Sequence, residues 1–239
     1  MSYKGKKILA VIPARGGSIG IKKKNLRKLF DKSLIQMAAE VANSVKWIDC
    51  AMISSDNKEI IDEGIKYGLM APFVRPVELS TSTALSYDVW IHAWKETEQY
   101  LNKDFDISIL LEPTSPLRTA NDIEKVIRKV IDNNYPAVAT FSKVPAHFTP
   151  EKTLLTNKSG TISFYHHDGG KYSLRQKIPT YLHRNGICYA VTKECLFKYK
   201  SIIEKNCYPH IIERPTVNID EPFELELAEW LLKKIQNNS

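Results

Sequence analysis

Ile8-Leu9-Ala10-Val11-Ile12-Pro13-Ala14-Arg15-Gly16-Gly17-Ser18-Ile19-Gly20 is an apolar run that breaks into a glycine-rich turn. Arg15 lies inside the turn, and Lys22, Lys23 and Lys24 follow it. A buried strand opening into such a loop is one way to build a phosphate cradle. Residues without Cβ atoms let backbone N–H groups approach phosphate oxygens, and Gly16, Gly17 and Gly20 are read in that role. Arg15 and the lysines add full charges. The same residues would also suit an ordinary strand-to-helix turn with solvated lysines. Two familiar phosphate loops do not fit. The glycines are spaced G-G-x-x-G rather than G-x-G-x-x-G, and Gly20 is followed by Ile21-Lys22 rather than Lys-Ser/Thr.

Working outward, apolar β-rich runs alternate with helical patterns. Strands are expected at 8–12, 50–54, 107–111, 137–141 and 187–191, and helices at 34–45, 58–67, 85–101, 120–133 and 221–234. In the third helix Leu85, Val89, Trp90, Ala93, Trp94 and Leu101 recur at helical spacing and form a core stripe. This alternation predicts an α/β fold with a mostly parallel sheet covered on both faces. Ligands in such sheets sit beyond the carboxyl ends of the strands. The loop after 8–12, Ser54-Ser55-Asp56 and Glu112-Pro113-Thr114-Ser115-Pro116 all fall there.

Between about 145 and 183 the alternation stops, and the stretch is polar, aromatic and glycine-containing. It reads as an inserted, hairpin-bearing lobe in an otherwise single domain spanning 1–239, covering the site or meeting another subunit. His166-His167-Asp168 inside it suggests a metal. Neighbours on a strand face opposite ways, however, so a hairpin tip is the favoured reading.

The chain has 239 residues, 43% hydrophobic and 26% charged, enough for a substantial core. No apolar run approaches the roughly 20 residues of a membrane span, and the apolar stretch before Pro13 is too short for a signal-peptide core. A cytoplasmic protein is expected. Cys50, Cys188, Cys195 and Cys207 lack C-x-x-C spacing and read as reduced core thiols. The net charge of +7 suits an anionic ligand. The lysines are scattered and no nucleic-acid motif accompanies them, so nucleic acid is not expected as a partner.

The segments IPARGGSIGIKKKNL, ISSDNKEI, RPVELSTSTA, LEPTSPLRT, RNGICY and VNIDEPFELELAE occur in this order. Together they resemble the acylneuraminate cytidylyltransferases, the CMP-sialic acid synthetase family, over about residues 7–232. The resemblance implies a three-layer α/β/α, Rossmann-like nucleotidyltransferase fold with a small dimerisation lobe, and hence a homodimer. It implies CTP and an acidic sugar as substrates. The anomeric hydroxyl of a 2-keto-3-deoxy sugar acid attacks the α-phosphorus of CTP, giving a CMP-sugar and pyrophosphate with Mg²⁺ present. Such transfer needs charge neutralisation and in-line positioning more than a covalent nucleophile.

Residue by residue, the resemblance gives the catalytic roles to Arg15, Lys24 and Asp220. Ala14, Gly16, Gly17, Ser18, Asn25, Arg75 and Ser82 join Arg15 and Lys24 around the nucleotide. Glu112, Thr114, Ser115 and Asn185 face the sugar, and Asp220 with Asn218 holds the metal. Simpler readings exist for some. Arg75 would serve as a surface ion pair, Asp220 as a cap for the helix from Glu221-Pro222, and Asn185-Gly186 as a turn.

The chain departs from the family pattern at five places. Ile19 replaces a lysine of the phosphate loop, Ser82 an aspartate, and Glu112 a glutamine near the sugar. Asn218 replaces a second acid, and His183-Arg184-Asn185 stands for Arg-Pro-Asn. An acid at 112 repels an acidic sugar unless it is protonated or turned away. The sugar is therefore left open among nonulosonic acids of sialic, legionaminic or pseudaminic type, an octulosonic acid, or another. A different nucleotide, and a non-catalytic nucleotide-binding protein, are the alternatives.

Overall fold

The computed structural model describes residues 2–18, 20–171, 178–201 and 207–237. Ile19 lies outside them, as do 172–177 of the expected lobe. Along the chain, β1 (Ile8–Pro13) is followed by a small hairpin, β2–β3 (Lys28–Leu29 and Lys32–Ser33). Then come α1 (Leu34–Ser44), β4 (Cys50–Ser54), α2 (Lys58–Lys66), α3 (Ser86–Leu101), β5 (Ile107–Leu110), α4 (Ala120–Asp132) and β6 (Ala137–Lys143). A second hairpin, β7–β8 (Leu154–Thr156 and Ile162–Phe164), precedes β9 (Leu182–Thr192), α5 (Lys193–Tyr199), β10 (Cys207–Ile211) and α6 (Pro222–Asn237).

Side-chain alternation along β1 builds the core on both faces of one sheet. Ile8, Ala10 and Ile12 enter an apolar cluster filled by Ile35 and Ala39 of α1, Ile60 of α2, and Ile123 and Ile127 of α4. Leu9 and Val11 point the other way, onto Trp90, Ala93 and Trp94 of α3 and Leu196 of α5. The result is the three-layer α/β/α arrangement. The stripe expected on 85–101 is thus core at Val89, Trp90, Ala93 and Trp94, whereas Leu85 precedes the first helical turn and is exposed.

The main sheet runs β10-β6-β9-β5-β1-β4. β1 pairs in parallel with β4 and β5, and β10 with β6, while β9 is antiparallel to both neighbours. The sheet is therefore mostly parallel, as expected. β9 is longer than the expected 187–191 and runs backwards, which apolar content alone does not reveal. β10 and α5 were not foreseen. β10 reads CYPHI, with a proline and a histidine that dilute the strand signal.

This topology assembles one edge. β1, β4 and β5 all end there, and antiparallel β9 begins there. Opposite β9, Ala139 pairs with Tyr189 but Phe141 with Arg184, so the residues between bulge out of register. The Thr140 hydroxyl bridges this bulge, donating to the Cys188 carbonyl at 3.0 Å and accepting its N–H at 2.9 Å. Asn185-Gly186 is therefore a bulge inside a strand rather than a turn between elements.

The chain between β10 and α6 is tied down at the same edge. Arg214 donates to Asp122, whose carboxylate also closes a capping box with Thr119 at the start of α4. The Ile219 N–H donates to the Thr114 carbonyl at 2.8 Å, which lays Asn218 and Asp220 against the loop after β5.

His166, His167 and Asp168 lie in a turn after β8, not on a strand. Strand geometry therefore does not separate them: their ligand-type atoms lie within 4.8 Å of one another. Lys171 Nζ sits 2.6 Å from the Asp168 carboxylate.

Candidate active site

A cavity of about 600 Å³ opens at the assembled edge. Arg15, Ser18, Lys24, Asn25, Arg75, Ser82, Glu112, Thr114, Asn218 and Asp220 line it, so ten expected site residues meet at one place. Ala14, Gly16, Gly17, Ser115 and Asn185 do not line it. Ala14 is core. Ser115 is buried, and its hydroxyl donates to the Asn185 carbonyl at 3.1 Å. The Asn185 side chain is buried behind the wall, donating to Ser142 Oγ at 3.0 Å and accepting the Ile187 N–H at 3.2 Å.

The loop glycines do different work from that expected. A Cβ on Gly20 would lie 2.4 Å from the Asp220 carbonyl oxygen, so this glycine makes room for the segment carrying Asp220. The space beside Gly16 is taken by Asn57, and only Gly17 faces open space. The Gly16 N–H is already spoken for, donating to Asp56 Oδ1 at 2.9 Å. Asn25 Nδ2 donates to the Arg15 carbonyl at 3.1 Å and folds the loop back on itself.

Charge is arranged unevenly around the cavity. Arg75 is almost wholly buried, and its Nε and Nη2 find no hydrogen-bond partner. Burial pulls its pKa down, Asp56 opposes that, and Arg15 adds to it. It is no surface ion pair. A buried guanidinium with idle donors is costly unless an anion arrives. Lys24 Nζ bonds Asp220 Oδ1 at 2.8 Å. Asp220 does not cap α6. Glu224 does: its Oε2 accepts the N–H groups of Asp220 at 2.7 Å and Glu221 at 2.9 Å. Burial pushes the pKa of the Glu112 carboxyl up. The Asp220 charge adds to the effect, while Arg118, Arg184 and Lys24 oppose it.

Two residues given no site role by the sequence brace the surrounding loops. Asp56 anchors the loop at Gly16. Arg118, buried, donates through Nη2 to the Glu112 carbonyl at 2.7 Å and the Gly186 carbonyl at 3.0 Å, and through Nε to Ile187. Burial pushes its pKa down to about 10, so it stays charged at neutral pH. Arg118→Met is expected to strand three carbonyls. At about 1–3 kcal/mol for each unsatisfied group, the melting temperature should fall by roughly 6 °C or more. An unchanged melting curve would remove Arg118 from this role. Thr81 and Ser86 also line the cavity. The hydroxyl-rich run Ser80-Thr81-Ser82-Thr83 was the available signal.

Cations, an idle guanidinium and carboxylates gathered in one strand-end cavity define a site for an anionic, nucleotide-like ligand. The chain belongs to the cytidylyltransferase family, whose family model matches residues 9–230. The resemblance seen in the sequence falls within that family. Among its relatives is the post-translational flagellin modification protein B of Campylobacter coli, 30% identical over 228 residues, 95% of each chain. The pseudaminic acid cytidylyltransferase of Campylobacter jejuni is 31% identical over 229 residues, 95% of this chain and 97% of the relative. The solved structure of CMP:2-keto-3-deoxy-manno-octonic acid synthetase complexed with CTP superposes with a TM-score of 0.69. It is 19% identical and covers 95% of this chain and 99% of that one, a likeness of fold.

Proposed function

We propose that this chain transfers the cytidylyl group of CTP to the anomeric hydroxyl of a 2-keto-3-deoxy acid sugar of nonulosonic type, releasing pyrophosphate. The observation that carries the reading is the buried, unpartnered Arg75 in a cavity shared with Arg15 and Lys24. Arg15, Lys24 and Arg75 bind the triphosphate and balance the charge that grows on the departing pyrophosphate. The anomeric oxygen bonds to the α-phosphorus as the bond to pyrophosphate breaks. Thr114 and Glu112, which line the same cavity, orient the sugar. Asp220 and Asn218 offer oxygen donors of the kind Mg²⁺ takes, and the buried Asn218 Oδ1 has no hydrogen-bond partner, so the pair fits that ion. When bound, Mg²⁺ supplies charge neutralisation on phosphate oxygens.

The test is pyrophosphate release measured over CTP, UTP, ATP and GTP against a panel of acid sugars. Release is expected with CTP only when a 2-keto-3-deoxy acid is present. No release from CTP with any sugar of that class overturns the reading.

A homodimer is part of the same proposal. Phe148, Leu154, Leu155, Ile162, Phe164 and Tyr165 are all exposed on the β7–β8 lobe, an apolar surface that a second copy would cover. Sedimentation at micromolar concentration should give a dimer, and Ile162→Lys with Phe164→Lys should give a monomer. A monomeric wild type sinks this part. No helix among the described residues is long and apolar enough to cross a membrane. The cytoplasm, where CTP is available, is the compartment we assign.

A further inference from the structure

Glu112, Asn218 and Asp220 line the same cavity, although they come from the loop after β5 and the segment before α6. The first two meet across the β9 bulge. A Cβ built on Gly186 would lie 2.7 Å from Glu112 Oε2 and 3.5 Å from Asn218 Cγ, so both side chains crowd one backbone point. Gly186 has φ +71°, a conformation that suits glycine, so the bulge keeps this point free of a side chain.

The three residues' oxygens are committed to different degrees. Asn218 Oδ1 is buried with no hydrogen-bond partner. Arg118 takes the main-chain carbonyl of Glu112, not its carboxylate. Asp220 has Lys24 as its single ion-pair partner among the described residues. Buried acceptors without donors are rare unless something cationic completes them.

The geometry points to Glu112 as the second carboxylate of a divalent-cation site made with Asn218 and Asp220. This inference rests on the nucleotidyl-transfer reading for the use to which the ion is put. Two carboxylates and one amide oxygen form a hard, all-oxygen donor set suited to Mg²⁺ or Mn²⁺ and unsuited to softer metals. Glu112 thereby acts on the metal side of the cavity as well as bounding the sugar.

The test uses Mn²⁺ alone as the probe. Free Mn²⁺ is measured by electron paramagnetic resonance over the metal-free full chain, with no nucleotide or sugar present. Glu112→Gln should weaken binding by at least as much as the loss of an outer-sphere partner, roughly 10–100-fold. Asn218→Asp should tighten it. The double variant Glu112→Gln/Asn218→Asp, which moves the acid across Gly186, should return binding close to wild type. Unchanged Mn²⁺ affinity in Glu112→Gln, no tightening in Asn218→Asp, or no measurable binding by wild type overturns the inference. Melting curves in metal-free buffer check folding. If Glu112→Gln does not fold, Glu112→Ala takes its place in the same measurement. Failure of the nucleotidyl-transfer reading shows separately, as a wild type that binds Mn²⁺ but releases no pyrophosphate.

Discussion

Asp220→Asn is expected to abolish nucleotidyl transfer while leaving the protein folded. The side chain keeps its size but loses the charge that faces Lys24 at 2.8 Å and serves the proposed cation site. The fold should not notice, because the start of α6 is capped by Glu224 and not by Asp220. The ion pair lost is three-quarters open to solvent on its acid side, and such pairs are worth at most about 1 kcal/mol, or roughly 2–4 °C in a chain of this size. A drop in kcat of about 10³-fold or more, similar to the loss of strong electrostatic stabilisation of a transition state, should accompany a nearly unchanged melting curve. Near-normal, Mg²⁺-dependent turnover would place the metal elsewhere and leave Asp220 as a partner of Lys24 only.

Arg15→Ala and Lys24→Ala should each lower kcat/KM for CTP by about 10²–10³-fold, the usual effect of removing one donor aimed at developing negative charge. The two should differ in how they combine with Asp220→Asn. Lys24 touches Asp220 directly, so the pair of changes is expected to be less than additive. Arg15 has no bond to Asp220 among the described residues, and its effect should add. Unchanged turnover in both purified, folded single variants would refute the phosphate-side assignment. Equal additivity for both would show that Lys24 and Asp220 do not act as one unit.

Much of this molecule was legible from the chain. Period-2 alternation in Ile8–Pro13 sends Leu9 and Val11 to one face and Ile8, Ala10 and Ile12 to the other. That local geometry alone demands helices on both sides of a sheet. The ends of β1 and β5 marked the cavity edge, because parallel strands bring their carboxyl ends together whatever the loops contain. The six segments in their order were enough for the resemblance to the family.

Other features depended on partners far away in sequence. β9 runs antiparallel because its neighbours are chosen in space, and an apolar run carries no direction. Gly20 is small because the Asp220 carbonyl, 200 residues away, occupies its side-chain space. Arg75 is an unpartnered buried cation rather than a surface ion pair, since burial is a property of the whole packing. Asp220 pairs with Lys24, while Glu224 accepts the N–H groups at the start of α6. Glu112 and Asn218 become neighbours only through the bulge at Gly186. The sequence by itself determined the layered α/β fold, the family and the residues that converge, since periodicity and motif order are local. Only the tertiary structure decided which of them stand charged, idle or paired, because those states are set by distances between segments that the chain order does not encode.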